Sequence, residues 1–236
     1  MGQKVNPIGF RIGFILKSDS NWFASKKSYA EKLMEDEKIR SYLRTRMAKA
    51  SVSKILIERA GKKMTITIQT ARPGIVIGKS GAEVDKLKGE IKKLTGKDIE
   101  INILEVKKPD LEAKLIASQI AQQLRARMPY KRVVKQLIAS VMRAGAQGIK
   151  IKVSGRLDGA EMARAEQFRE EAVPLSTLRN DISYAAVESH TIYGAIGIKV
   201  WISRGDTSSV HEKRAVDKLD KAYKPSEKPY FRSRGR

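Results

Sequence analysis

The apolar positions of this chain fall into alternating and helical stretches that follow one another in a readable order. Residues 51–58 carry Val52, Ile55 and Ile57 among polar neighbours, and residues 63–70 place Met64, Ile66 and Ile68 on one side of a period of two. Both stretches predict half-buried strands, with Ala60-Gly61-Lys62 as the hairpin turn between them. Upstream, Leu33, Ile39, Tyr42, Leu43 and Met47 predict a helix over about 29–48, with Ser28 as its N-cap. Downstream, a short helix leads into a glycine loop. Val84, Leu87, Ile91 and Leu94 then recur every three or four residues until Thr95-Gly96 ends the helix. Ile99, Ile101 and Ile103 alternate in a strand over 99–106.

The second half is patterned differently. After a linker at 107–112, Asp110 is the expected cap of a helix over 111–128 that turns Leu115, Ile116, Ile120 and Leu124 inward and breaks at Pro129. A second helix is expected over 131–143. Residues 148–154 alternate Ile149, Ile151 and Val153 with Lys150 and Lys152, a strand with one basic face. A tight loop from Gly155 to Gly159 follows, then a charged helix over 160–172. Strands over 181–188 and 195–203 flank a Tyr193-Gly194 turn. The expected fold class is α+β. An arm (1–16) precedes a first domain (17–106) with a three-stranded sheet and helices. After the linker comes a second domain (113–205) with a three-stranded sheet and two to three helices, then a basic tail (206–236) expected to be disordered.

Charge turns this outline into a statement about partners. The 236 residues include 48 Lys and Arg against 26 Asp and Glu, a net charge of +22, so a polyanion is the expected partner. The charge is concentrated: residues 113–157 hold ten basic side chains and no acidic one, where a merely solvated surface mixes signs. Residues 158–203, by contrast, carry net −3. With no cysteine, thiolate metal sites and disulfides are excluded, and His190 and His211 cannot form a histidine metal site alone. No metal, cofactor or catalytic constellation is expected. Nor does any stretch reach the length of a membrane span, and the first residues lack an apolar signal core, so a cytoplasmic protein without a membrane partner is expected.

Two motifs carry the candidate chemistry. Gly78-Lys79-Ser80 invites a nucleotide-binding reading, but a P-loop needs a glycine five positions before Gly78, and Pro73 stands there. The alternative is a GxxG loop, Gly78, Lys79, Ser80 and Gly81, between two helices packed on a small sheet. Glycines without Cβ let a nucleic-acid backbone approach, Lys79 adds a cation, and Ile75, Val76, Ile77 and Val84 would anchor the helices. Two strands before the loop match the type II KH order. The second motif is the helix over 131–143. At about 100° per residue, Lys131, Arg132, Lys135 and Arg143 share one face while Val133, Val134, Leu137 and Val141 share the opposite one. Arg125 and Arg127 extend the basic cluster, and Tyr130 is a candidate stacking residue within it. Glu166 and Glu170 are expected to pair with nearby arginines, and Trp201 to pack.

Four segments then carry a resemblance. Gly2 to Arg11 (GQKVNPIGFR), Arg72 to Gly81 (RPGIVIGKSG), Ser154 to Arg164 (SGRLDGAEMAR) and Thr191 to Ile202 (TIYGAIGIKVWI) together resemble the bacterial family of small-subunit ribosomal protein three, in order along residues 1 to about 205. The resemblance implies a structural protein of the subunit head that binds small-subunit rRNA and lines the mRNA entrance. Basic residues matching Lys131, Arg132 and Lys135 would hold mRNA there. It implies neighbours among ribosomal proteins ten and fourteen, and four and five at the mRNA entrance, with no homo-oligomer and no cofactor. Lys4, Arg11, Arg72, Lys150, Lys152 and Arg156 are further candidate rRNA contacts. A free KH regulator of mRNA and a P-loop-like NTPase stand as alternatives.

Overall fold

The computed structural model describes residues 4–61, 63–78 and 81–206. Lys79 and Ser80 of the glycine loop, and the expected tail beyond Asp206, lie outside them. The N-terminal arm is not extended throughout. Asn6 Oδ1 accepts the Ile8 N–H at 2.9 Å and Pro7 opens a short helix, α1 (Pro7–Arg11), because an Asn-Pro pair supplies both the cap and a residue that needs no N–H partner.

The first sheet consists of β1 (Ser20–Asn21), β2 (Val52–Ala60), β3 (Lys63–Thr70) and β4 (Ile99–Glu105), in that spatial order. It has four strands where three were expected: β1 is too short to show a period, and joins β2 in parallel. β2 and β3 form the antiparallel hairpin, and β4 runs parallel to β3. Helices α2 (Lys26–Arg46), α3 (Pro73–Ile77) and α4 (Ala82–Thr95) complete the unit. α2 starts ahead of Ser28, after Ser25, whose hydroxyl meets that of Ser28 at 2.9 Å. Ile39 and Leu43 of α2, Ile57, Ile66 and Ile68 of the sheet and Leu87 and Ile91 of α4 form the core. Asp36 is fully buried within α2, held by Arg59 of β2, by Trp22 Nε1 at 2.7 Å and by Ser20 Oγ at 3.0 Å.

The second unit has two helices, α5 (Ala113–Arg125) and α6 (Tyr130–Arg143), on one face of an antiparallel sheet: β5 (Gly148–Gly155), β6 (Arg164–Glu171), β7 (Asn180–Thr191) and β8 (Gly194–Asp206), ordered β6-β5-β8-β7. Asp110 lies in a short 3-10 turn and Glu112 takes the cap position of α5. The charged helix expected over 160–172 is instead the edge strand β6, which makes a four-stranded sheet. Ala, Glu and Arg favour helix locally, but that preference is weak. Pairing along the whole of β5, with Phe168 opposite Ile151 and edge-on to Tyr130, overrides it.

Candidate nucleic-acid interface

α6 divides its residues cleanly. Val133, Val134, Leu137, Ile138 and Val141 are buried against the sheet, and that burial orients the rest. Lys131, Arg132, Lys135 and Arg143 stand exposed on the other side. Lys131, Arg132 and Lys135 join no ion pair among the described residues; Lys131 Nζ sits 5.9 Å from the Tyr130 ring centre, and Arg143 Nε donates to the Ala139 carbonyl at 3.3 Å. Charges without partners on a helix fixed by its apolar side can meet phosphates without first breaking internal contacts.

Arg125 and Arg127 flank the turn between α5 and α6. The turn is a Schellman closure: Met128 N–H donates to the Gln123 carbonyl at 3.2 Å and Arg127 N–H to that of Leu124 at 3.0 Å. Arg127 has φ +58°, the left-handed conformation in which glycine is usual. With Arg156 and Tyr193 these residues line a groove of ≈ 340 Å³. Arg156 Nε reaches the Ala160 carbonyl at 2.9 Å, which orients its guanidinium at the rim. Tyr130 is not available for stacking. It is buried, and its hydroxyl accepts a hydrogen bond from Arg164 at 3.2 Å.

In the glycine loop, Gly78 and Gly81 have φ +70° and +83°. A Cβ at Gly78 would lie 2.7 Å from Cγ of Glu83, so this glycine also makes room for the aliphatic stem of Glu83. Glu83 and Asp85 occupy the first turn of α4, where a phosphate would otherwise benefit from the helix N-terminus. Lys86, and more weakly Arg46, hold the Glu83 carboxyl below its usual pKa. Of the residues expected to anchor the loop, Val76 is buried and Val84 partly so. Ile75 and Ile77 are exposed instead, because the five-residue α3 turns only one side to the sheet.

The remaining candidates separate. Lys4, Arg72 and Lys152 are exposed, and Lys150 is half-buried. Arg11 is a correction: it is fully buried, and its guanidinium donates to the carbonyls of Asn180 (2.7 Å), Thr177 (2.7 Å), Leu175 (3.0 Å) and Pro7 (3.1 Å). Burial, opposed by Asp181, lowers its pKa. Three of the four acceptors, on Leu175, Thr177 and Asn180, come from tertiary packing, so the local sequence does not separate this arginine from an RNA-facing one. Glu166 does pair with Arg164, at 3.1 Å. No sequence motif marks Lys114. It lines the cleft between the two units, and burial, with the charge of Arg44, holds its ammonium pKa below the usual value.

Known families match both units. Residues 38–111 match the KH domain family and residues 120–202 match "Ribosomal protein S3, C-terminal domain". Proteins named small ribosomal subunit protein uS3 are similar over most of the chain. That of Cytophaga hutchinsonii is 60% identical over 206 residues, 87% of this chain and 81% of the relative. The chain belongs to the uS3 family. The protein of Flavobacterium johnsoniae is 54% identical over 94% of this chain and 87% of its own length. That of Porphyromonas gingivalis is 58% identical over 91% and 85%. Members of this family are structural ribosomal proteins and not enzymes, which removes the NTPase alternative raised by Gly78-Lys79-Ser80.

Proposed function

We propose that this chain, a uS3-family structural constituent of the small ribosomal subunit, binds subunit rRNA and neighbouring ribosomal proteins and holds mRNA on the exposed face of α6 during translation. The observation that carries the mRNA reading is the α6 face itself: Lys131, Arg132 and Lys135 are exposed, join no ion pair among the described residues, and are mounted on a helix whose other side is core. Such a face grips a sugar-phosphate backbone whatever its sequence, as a strand passing through a channel requires. Arg125, Arg127 and Arg156 around the adjoining groove extend the track, and Arg143 continues it along the helix. Holding one strand this way would oppose re-pairing passively, without nucleotide hydrolysis.

Lys4, Arg72, Lys150 and Lys152 are the further rRNA contacts in this reading, and the Gly78–Gly81 loop is a subsidiary one because Glu83 and Asp85 stand beside it. Ribosomal proteins ten and fourteen are the proposed protein neighbours, with four and five across the mRNA entrance, in a cytoplasmic ribosome. The domains are 17–106 and 113–205. The test is mRNA crosslinking to the chain in reconstituted small subunits. Changing Lys131, Arg132 and Lys135 together to Ala should leave subunit incorporation intact and sharply reduce mRNA crosslinks. Undiminished crosslinks would overturn the assignment.

A further inference from the structure

Helices α5 and α6 cover one face of the second sheet, through Ile149, Ile151, Ile198, Val200 and Ile202. The opposite face is covered at its Ser203 end, borders the cleft to the first unit at Tyr184, and is open from Lys150 and Arg169 to Lys152 and Lys199; the strand register fixes what stands on it. Lys150 is directly opposite Trp201 on one side and Arg169 on the other, and Trp201 is opposite Tyr184. Two residues along β5, Lys152 is opposite Lys199. Lys152, Lys199 and Arg169 are exposed, and Lys150, Trp201 and Tyr184 partly so.

This arrangement is unfavourable for an isolated protein. Two like-charge pairs, Lys152 with Lys199 and Lys150 with Arg169, face each other across neighbouring strands, where like charges destabilise a sheet. None of the three lysines has a carboxylate partner among the described residues, and Arg169 donates only to the Glu171 backbone carbonyl at 3.1 Å. Beside these cations lie two aromatic rings, Trp201 and Tyr184, with centroids 5.2 Å apart; Lys150 Nζ lies 5.2 Å from the Trp201 ring centre. A ligand that relieves both features must carry repeated negative charge and flat apolar faces. Single-stranded RNA carries both, and open sheets that display aromatic side chains are a recurrent way of binding it.

We propose that the open face of the second sheet is an RNA-binding surface separate from α6, on which unpaired nucleotides stack against Trp201 and Tyr184 while their phosphates lie along Lys150, Lys152, Lys199 and Arg169. Because α6 lies on the other side of the sheet, the second domain would be gripped by RNA on two opposite faces, a bridge between two segments. The inference does not rest on the mRNA role of α6 and is tested with that face removed.

The experiment uses the full chain carrying Lys131→Ala, Arg132→Ala and Lys135→Ala, titrated with a short oligouridylate at low salt while tryptophan emission is followed. The chain has two tryptophans, and Trp22 is held by Asp36 in the first domain, so quenching is assigned by comparison with Trp201→Phe. The expected result is saturable quenching that disappears in Trp201→Phe, with affinity lowered about tenfold by Lys152→Ala with Lys199→Ala. Thermal melts of each variant verify the fold, and photocrosslinking of 4-thiouridine RNA to residues 184 and 201 gives a readout independent of tryptophan emission. No RNA-dependent quenching and no crosslink at either position would overturn the proposal. So would equal quenching by polyglutamate, which would make the face a docking surface for an acidic protein. Binding of polyphosphate and RNA with equal affinity, and no quenching by either, would also overturn it.

Discussion

An arginine's chemistry is decided by where its five N–H groups end, and this chain shows both outcomes. Arg11 is spent inside the protein on four carbonyls. Replacing it by Met should destabilise the fold by about 3 kcal/mol, because several buried acceptors lose their donor at once. Urea unfolding measures the loss, and RNA affinity below the transition should stay unchanged. Arg127 is the converse. It occupies the left-handed closing position of a helix, where a side chain costs roughly 1 kcal/mol relative to glycine. Arg127→Gly should therefore raise thermal stability while weakening RNA binding, and a variant that loses both would refute the view that strain is tolerated here for function. Neither arginine announces its role in the sequence. Arg11 sits in an apolar arm and Arg127 in a basic cluster, yet what separates them is a loop 164 residues further on in one case and a φ angle in the other.

At the scale of elements, legibility followed the strength of the period. β3, β5 and β8 and both helices of the second unit were readable because their apolar residues repeat at two or at three to four, and burial on one face enforces that repeat. β6 was not readable: Phe168 is its one large apolar residue, and Ala, Glu and Arg around it carry a helical preference that only β5 overrules. The pairing has a sharp steric requirement at Gly148, where a Cβ would lie 2.3 Å from the Ala172 carbonyl oxygen. Gly148→Ala should destabilise the protein by about 2 kcal/mol through this overpacking. Chemical denaturation checks it, and an unchanged midpoint would mean that the end of β6 does not close on β5. β1, two residues long, left no pattern to find.

For the whole molecule, the distribution of charge matters more than the total of +22. Cations stand on α6, around the Arg156 groove and on the open sheet face, so RNA affinity should fall steeply with salt. On single-stranded RNA, the Lys131, Arg132 and Lys135 triple alanine variant should lower the slope of log affinity against log salt by about 2, leaving a residual dependence from the other faces. Filter binding between low and moderate salt measures both slopes, and a flat residual would show that α6 alone carries binding. The α+β class, the change of pattern between the two halves, the polyanion partner and the basic face of α6 are all legible along the chain. Each of these depends on composition or on a local period that one stretch of chain displays. Long-range packing, in contrast, makes Arg11 internal, 164–171 a strand and Tyr130 core, and brings Trp201, Tyr184 and the sheet lysines to one face. Those facts depend on which distant strands and loops come together, and neither residue propensity nor local spacing encodes that pairing.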